Sequence, residues 1–129
     1  MSIKVGDRIP DIQVHVLENG MPKPVSTASV LGSGKVVLFA VPGAFTPGCS
    51  AVHLPGYVKG AADLKSKGID QIVCISVNDP WAMDAWQKSA GAEAIVMLAD
   101  GSGAFSQAVG LAFDGSGFGL GVRSQRYSA

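Results

Sequence analysis

One cysteine in the sequence stands where a reactive thiolate is easily stabilised. Cys49 follows Thr46, Pro47 and Gly48, and a threonine followed by a proline is typical of the N-cap and first residue of a helix. Cys49 would then be the third helical residue, where unpaired N–H groups and the helix dipole favour negative charge. Both effects favour the thiolate, the nucleophilic form of cysteine. The spacing therefore predicts thiol chemistry at Cys49.

The residues around Cys49 suit a small substrate. Gly48 lets a substrate approach the backbone, and the Thr46 hydroxyl can both donate and accept a hydrogen bond. Pro42 comes directly after an apolar run at 36–41, so it can cover the sulfur and keep water away. The alternative is that Cys49 is an inert buried thiol.

The elements that must position this segment alternate between strands and helices. Apolar runs predict a half-buried strand at 12–17, before an Asn-Gly turn, and buried strands at 36–41, 72–77 and 94–98. Helices are predicted from Thr46 to about Lys67 with an interruption at Pro55, from Pro80 to Gly91, and at 104–109. Trp81, Ala82, Ala85 and Trp86 would form the apolar face of the second helix. This order predicts an α/β fold with a partly parallel sheet.

Composition restricts the class of protein. The 129 residues suffice for a single domain, 1–129. Ten basic and ten acidic residues give zero net charge, which argues against a nucleic-acid partner. Apolar residues make up 47% and charged residues 16%, which excludes disorder. The sequence shows neither a signal-peptide pattern nor an apolar run near membrane-spanning length, so we expect a cytoplasmic protein without a membrane partner.

Other cofactor and metal motifs are incomplete. Residues 32–35 resemble a phosphate loop and 115–119 a dinucleotide fingerprint, but each lacks required residues. The sequence has no Cys-x-x-Cys pair, and neither of the local signatures of cysteine proteases surrounds Cys49. Cys49 and His53 could share a helix face, but short-spaced ligand pairs typical of structural zinc are missing. We therefore expect no cofactor and no metal.

The segment 42–50, PGAFTPGCS, resembles the active-site loop of the peroxiredoxins, specifically the peroxiredoxin-5 (type II) subfamily. The segments HLPGY at 53–57, CISVND at 74–79 and GFGLGVRSQRY at 117–127 are similar to that subfamily as well. The resemblance implies a thioredoxin-like fold, with a central mixed sheet flanked by helices, and reduction of hydroperoxides. It implies that the catalytic residues are Cys49 as peroxidatic cysteine, Thr46 as peroxide-binding hydroxyl, Pro42 as shield and Arg126 as active-site arginine.

The resemblance also implies how the enzyme is recycled. Cys49 would become a sulfenic acid, which glutathione with glutaredoxin, or thioredoxin, would reduce. Relatives continue past the aromatic residue after the arginine into further strands and a helix, where some carry a resolving cysteine; this sequence ends at Ala129. We therefore expect a C-terminally truncated fold, a one-cysteine mechanism, and weak anchoring of Arg126. A homodimer is expected by analogy with the subfamily.

Several residues keep alternative interpretations. Cys74 lies among Val73, Ile75 and Val77, which favours packing over chemistry. His53 could tune Cys49 but is more typical of a packing residue, and His15 is expected on a strand surface. Without the resemblance, Arg123 and Arg126 would be equal candidates.

Two other functions compete with the peroxidase. The first is a truncated, weakly active redox sensor or interaction protein with a reactive Cys49. The second is a thioredoxin-like binding module in which Cys49 is unreactive and has a thiol pKa near the ordinary value of ~8.5.

Overall fold

Strands and short helices alternate along the chain, which the computed structural model describes at residues 3–32, 34–45 and 54–128. The strands are β1 (Gln13–Glu18), β2 (Met21–Ser26), β3 (Val36–Val41), β4 (Gln71–Ser76), β5 (Ile95–Ala99), β6 (Ala112–Asp114), β7 (Val122–Ser124) and β8 (Tyr127–Ser128). The helices in the described residues are α1 (Thr27–Leu31), α2 (Leu54–Ser66), α3 (Pro80–Ser89) and α4 (Ala104–Ala108), and a 3₁₀ turn covers Ser116–Phe118. The predicted α/β alternation is confirmed.

Six of these strands form one mixed sheet in the order β2-β1-β5-β4-β3-β8. The strands β3, β4 and β5 are parallel to one another, whereas β1, β2 and β8 pair antiparallel with their neighbours. Because parallel strands end at the same edge of a sheet, the segments that follow β3 and β4 meet there. This edge lies next to the segment in which the sequence predicts the reactive cysteine.

The strands β3 and β4 are buried on both faces, as their continuous apolar sequences predict. Side chains alternate between the two faces of a strand, so Phe39 packs in one apolar cluster and Leu38 in the other. The cluster around Phe39 includes buried residues of α2 and α3, and the cluster around Leu38 includes Phe105 of α4. Cys74 is fully buried in the first cluster, which confirms the packing interpretation of this residue.

The apolar face of α3 differs from the predicted one. Met83 and Trp86 are buried, but Trp81 is 52% exposed and Ala85 is exposed, so the prediction was wrong for both. The indole N–H of Trp81 donates to the carbonyl of Gly20 at 3.1 Å. Trp81 therefore covers the turn between β1 and β2 at the rim of the sheet instead of its centre.

Strand β2 was not predicted because its sequence, MPKPVS, contains Pro22 and Pro24. Proline has no N–H to donate to a ladder and is confined to edges and bulges of sheets. The strand lies at one edge of the sheet and pairs with β1 alone. The tight Asn-Gly turn brings it there, because both Asn19 and Gly20 adopt positive φ angles.

Helix α2 continues without a break from Leu54 to Ser66. The predicted interruption at Pro55 is not observed in this part, where proline is the second described residue of the helix. The predicted start at Thr46 lies outside the described residues. The predicted stop is confirmed: Gly68 has φ +92°, its N–H donates to Lys65, and the Ile69 N–H donates to Leu64, which is the Schellman arrangement.

Among the described residues, the helices are all too short or too polar to cross a membrane.

Replacement by alanine should change stability in opposite directions at Gly68, which follows α2, and at Gly60, which lies inside the helix. Gly68→Ala forces a side chain into a positive φ and should lower the free energy of unfolding by about 1 kcal/mol. Gly60→Ala is the matched control, because Gly60 is helical and an added Cβ meets no atom within 4 Å. It should raise stability by roughly 0.5–1 kcal/mol. Urea unfolding measures both, and equal effects would contradict the capping role of Gly68.

Candidate active site

Thr46, Cys49 and His53 lie outside the described residues, so their roles stay predictions. The structure describes the two elements that flank this segment, namely β3 with residues 42–45 before it and α2 after it. Pro42 is half-buried and directly follows the last residue of β3. The shielding residue predicted from the sequence therefore lies directly after a buried strand of the sheet.

A buried polar bridge joins the ends of β3 and β4. The Ser76 hydroxyl, fully buried, lies 2.6 Å from Asn78 Oδ1 and 3.1 Å from the Val41 carbonyl oxygen, so its one proton serves these two acceptors. The same Oδ1 accepts the N–H of Ala44 at 2.9 Å. The bridge, defined as Val41, Ser76, Asn78 and Ala44, fixes the path of the chain as it leaves β3 towards Thr46.

This bridge was missed by sequence reasoning. Asp79 is the N-cap of α3 and accepts the N–H of Ala82 at 2.8 Å, whereas Asn78 turns its side chain to the bridge. The signal was the polar Ser-Val-Asn that ends an apolar strand, because polar residues at such an edge need partners in a neighbouring segment.

Phe45, the residue before the undescribed segment, has φ +62°. A positive φ is uncommon for residues other than glycine and is an outlier for a bulky one. Such conformations cost of order 1–3 kcal/mol, persist only where surrounding contacts impose them, and cluster at active sites. The polar bridge, one residue away at Ala44, supplies such a restraint.

Arg126 is positioned by the strand that follows it. In the antiparallel ladder of β8 on β3, Tyr127 pairs with Ala40 and Ser128 with Phe39. Continuing this register by one residue sets Arg126 opposite Val41, next to Pro42. Arg126 is exposed to solvent. The sequence predicted weak anchoring for Arg126, and the ladder is an anchor that it did not predict.

Arg123, the rival of Arg126 in the sequence, is held by backbone oxygens. Its Nε donates to the carbonyl of Leu120 at 2.9 Å, and its Nη1 donates to the carbonyl of Val77 at 2.8 Å. Val77 directly follows β4 and lies between Ser76 and Asn78, two residues of the polar bridge. Arg123 therefore ties the glycine-rich segment to the end of β4.

Tyr127 points its hydroxyl into the protein. In the described part of the chain this buried oxygen has no hydrogen-bond partner. Burial raises the pKa of the phenol, and electrostatic interactions with Asp100 and Cys74 raise it further. The phenol next to Arg126 is therefore neutral at physiological pH.

Residues 3–32, 34–45 and 54–128 contain no cluster of three or more His, Cys, Asp or Glu side chains that could hold a metal ion. A cavity of about 390 Å³ lies between the segment 3–9 and Tyr127, with a mainly apolar lining that does not include Pro42 or Arg126. Of the predicted site residues that the structure describes, Pro42 and Arg126 are therefore not part of that cavity.

Removing the buried hydroxyl of the polar bridge should destabilise the protein. Ser76→Ala leaves the Val41 carbonyl and Asn78 Oδ1 each short of a donor, which we expect to cost about 1–3 kcal/mol. Ser102→Ala, at an exposed serine, is the matched control and should change stability by less than ~0.5 kcal/mol. Chemical unfolding measures the difference, and similar effects of the two substitutions would refute the bridge.

Comparison with known proteins finds relatives over nearly the whole chain. The model of the Redoxin family matches residues 4–129. Peroxiredoxin-2E, chloroplastic, of Arabidopsis thaliana is 48% identical over 132 residues, which cover 98% of this chain and 56% of that protein. Peroxiredoxin-2D of the same plant is 48% identical over 128 residues, which cover 98% of this chain and 79% of the relative.

A solved structure agrees in both fold and sequence. Reduced Prx3 of Vibrio vulnificus, in complex with H₂O₂, superposes with a TM-score of 0.93 and 47% identity, covering 98% of this chain and 79% of that one. The thioredoxin-like fold and the similarity to the type II peroxiredoxins predicted from the sequence are thereby confirmed. The chain belongs to the redoxin family and, within it, to the peroxiredoxins, which are thiol-dependent peroxidases.

Proposed function

We propose that this chain reduces hydrogen peroxide and small alkyl hydroperoxides at Cys49, with Thr46, Pro42 and Arg126 as the other active-site residues. The observation that carries the proposal is the pairing of β8 with β3, in which Tyr127, the residue after Arg126, lies opposite Ala40, two residues before Pro42. The relative from Vibrio vulnificus, at 47% identity, was solved with H₂O₂ bound, which supports a peroxide as substrate.

The proposed reaction is a displacement on oxygen. The Cys49 thiolate attacks one peroxide oxygen, a sulfur–oxygen bond forms, and the oxygen–oxygen bond breaks. The departing oxygen keeps the electron pair and takes a proton, so that water or an alcohol leaves and Cys49 becomes a sulfenic acid. The guanidinium of Arg126 favours the thiolate and stabilises the negative charge on the departing oxygen.

We propose a one-cysteine cycle. Cys74 is fully buried within β4, between Val73 and Ile75, so reaching another sulfur would require the central sheet to open. Two external thiols would therefore reduce the sulfenic acid, leaving the Cys49 thiol, a disulfide of the reductant and water. Glutathione with glutaredoxin, or thioredoxin, is the proposed reductant, and the proposed assembly is a homodimer.

Mass spectrometry of the intact chain tests the one-cysteine cycle. One equivalent of peroxide should add the mass of one oxygen atom to the wild type and to Cys74→Ala, but not to Cys49→Ser. Cys74→Ala is the control, because its sulfur has no part in the proposed cycle. Loss of two hydrogen atoms with a Cys49–Cys74 disulfide would exclude the one-cysteine cycle.

Rapid mixing with peroxide tests the role of Arg126. Arg126→Ala should lower the second-order rate constant on the order of 100-fold, as expected when a group positioned for the reaction is lost. Lys23→Ala, at an exposed cation on β2 at the opposite edge of the sheet from β8, should leave the rate constant unchanged.

The same measurement separates the peroxidase from the weakly active sensor. A slow wild-type rate that Arg126→Ala does not lower would favour the sensor, and steady turnover with either reductant system would contradict it.

A further inference from the structure

We propose that the hydroxyl of Tyr57 is a positioning group for the reaction, because it fixes β8, and with it Arg126, to helix α2. This inference rests on the proposed function, in which Arg126 acts on Cys49. Helix α2 begins directly after the segment that contains Cys49. A link between α2 and β8 therefore joins the two parts of the chain that carry the proposed reacting groups.

The ring of Tyr57 is held firmly in place. It stacks on Phe39 of β3 with a distance of 3.9 Å between ring centroids and an angle of 4° between the ring planes. Phe39 is fully buried in the core, so it provides a rigid surface for the half-buried Tyr57. Because the ring cannot swing freely, its hydroxyl is directed to one place.

That place is the side chain of Ser128. The Tyr57 hydroxyl and Ser128 Oγ are 2.7 Å apart, at the usual separation of a hydrogen bond between hydroxyl groups. Ser128 also pairs with Phe39 in the ladder between β8 and β3. Phe39, Tyr57 and Ser128 therefore form a closed set, hereafter the Tyr57 clamp, in which each residue contacts the other two.

The clamp matters because the ladder of β8 is short. It contains two residue pairs, Phe39 with Ser128 and Ala40 with Tyr127, and short strand pairs are marginally stable without further packing. One additional hydrogen bond is a substantial part of the restraint on such a strand. Arg126 immediately precedes this ladder, so release of β8 would remove one of the restraints on the position of the arginine.

Loss of the clamp has a chemical signature that a general loss of stability lacks. If Arg126 spends less time near the sulfur, its positive charge stabilises the thiolate less, and the pKa of the Cys49 thiol rises. The pH at which the peroxide reaction reaches half its maximal rate should then increase. A hydroxyl that only stabilised the fold would change the unfolding midpoint and leave this pH profile in place.

Two conservative variants and one matched control test the proposal. Tyr57→Phe keeps the stacked ring, and Ser128→Ala removes the partner at an exposed site. Each should lower the second-order rate constant at neutral pH about three- to tenfold and move the pH profile upwards, and the double variant should be no slower than either. The control is Tyr127→Phe at the chain's other tyrosine, whose hydroxyl has no hydrogen-bond partner among the described residues; it should change neither quantity.

A further test combines Tyr57→Phe with Arg126→Ala in one variant. There, Tyr57→Phe should have no further effect on the rate, because the group that it positions is gone. An equal loss of rate in both backgrounds, or a lower unfolding midpoint with an unchanged pH profile, would overturn the proposal. An Arg126→Ala variant as fast as the wild type would instead overturn the role of Arg126 in the proposed function, so the two failures are distinguishable.

Discussion

The buried polar bridge between β3 and β4 is the interaction on which the candidate site depends. Both strands are fully apolar in their centres, so the first polar groups at their shared edge must bond to one another or remain unsatisfied in a region without water. The Ser76 hydroxyl and the Asn78 side chain satisfy these groups and direct the chain out of β3. The left-handed Phe45 and the predicted thiolate segment both lie beyond this point.

The C-terminal part of the chain returns to the same edge of the sheet. Arg123 bonds to the carbonyl of Val77, one residue before Asn78, and β8 then pairs with β3. The glycine-rich segment between α4 and β8 is therefore attached at two points, once at the end of β4 and once along β3. Arg126 lies between these attachments, which restricts its position although its side chain is exposed.

The inner strands could be predicted from the sequence, but the outer strands and the links between segments could not. Continuous apolar runs identify β3, β4 and β5 because burial on both faces is a property of the strand itself. By contrast, β2 contains two prolines and β8 has two residues, so neither has a sequence typical of a strand. Both form because they pair with a neighbouring strand. The same holds for the candidate site. The helix-start pattern at Cys49 can be recognised from neighbouring residues, whereas the hydrogen bond of Arg123 to Val77 and the pairing of β8 with β3 join residues that are far apart in the chain.

The buried phenol of Tyr127 should lower the stability of the folded chain at alkaline pH. Burial of its phenol, together with electrostatic interactions with Asp100 and Cys74, raises its pKa in the folded state above the ordinary value of 10.0 that it has when the chain unfolds. Below pH 10 both states keep the proton, and the phenol contributes nothing to the pH dependence of stability. Above it, the unfolded chain releases the proton first, and the free energy of unfolding falls with each further rise in pH until the folded phenol also ionises. Ionisation of Tyr127 therefore opposes the folded position of β8, the strand that precedes the chain end and anchors Arg126.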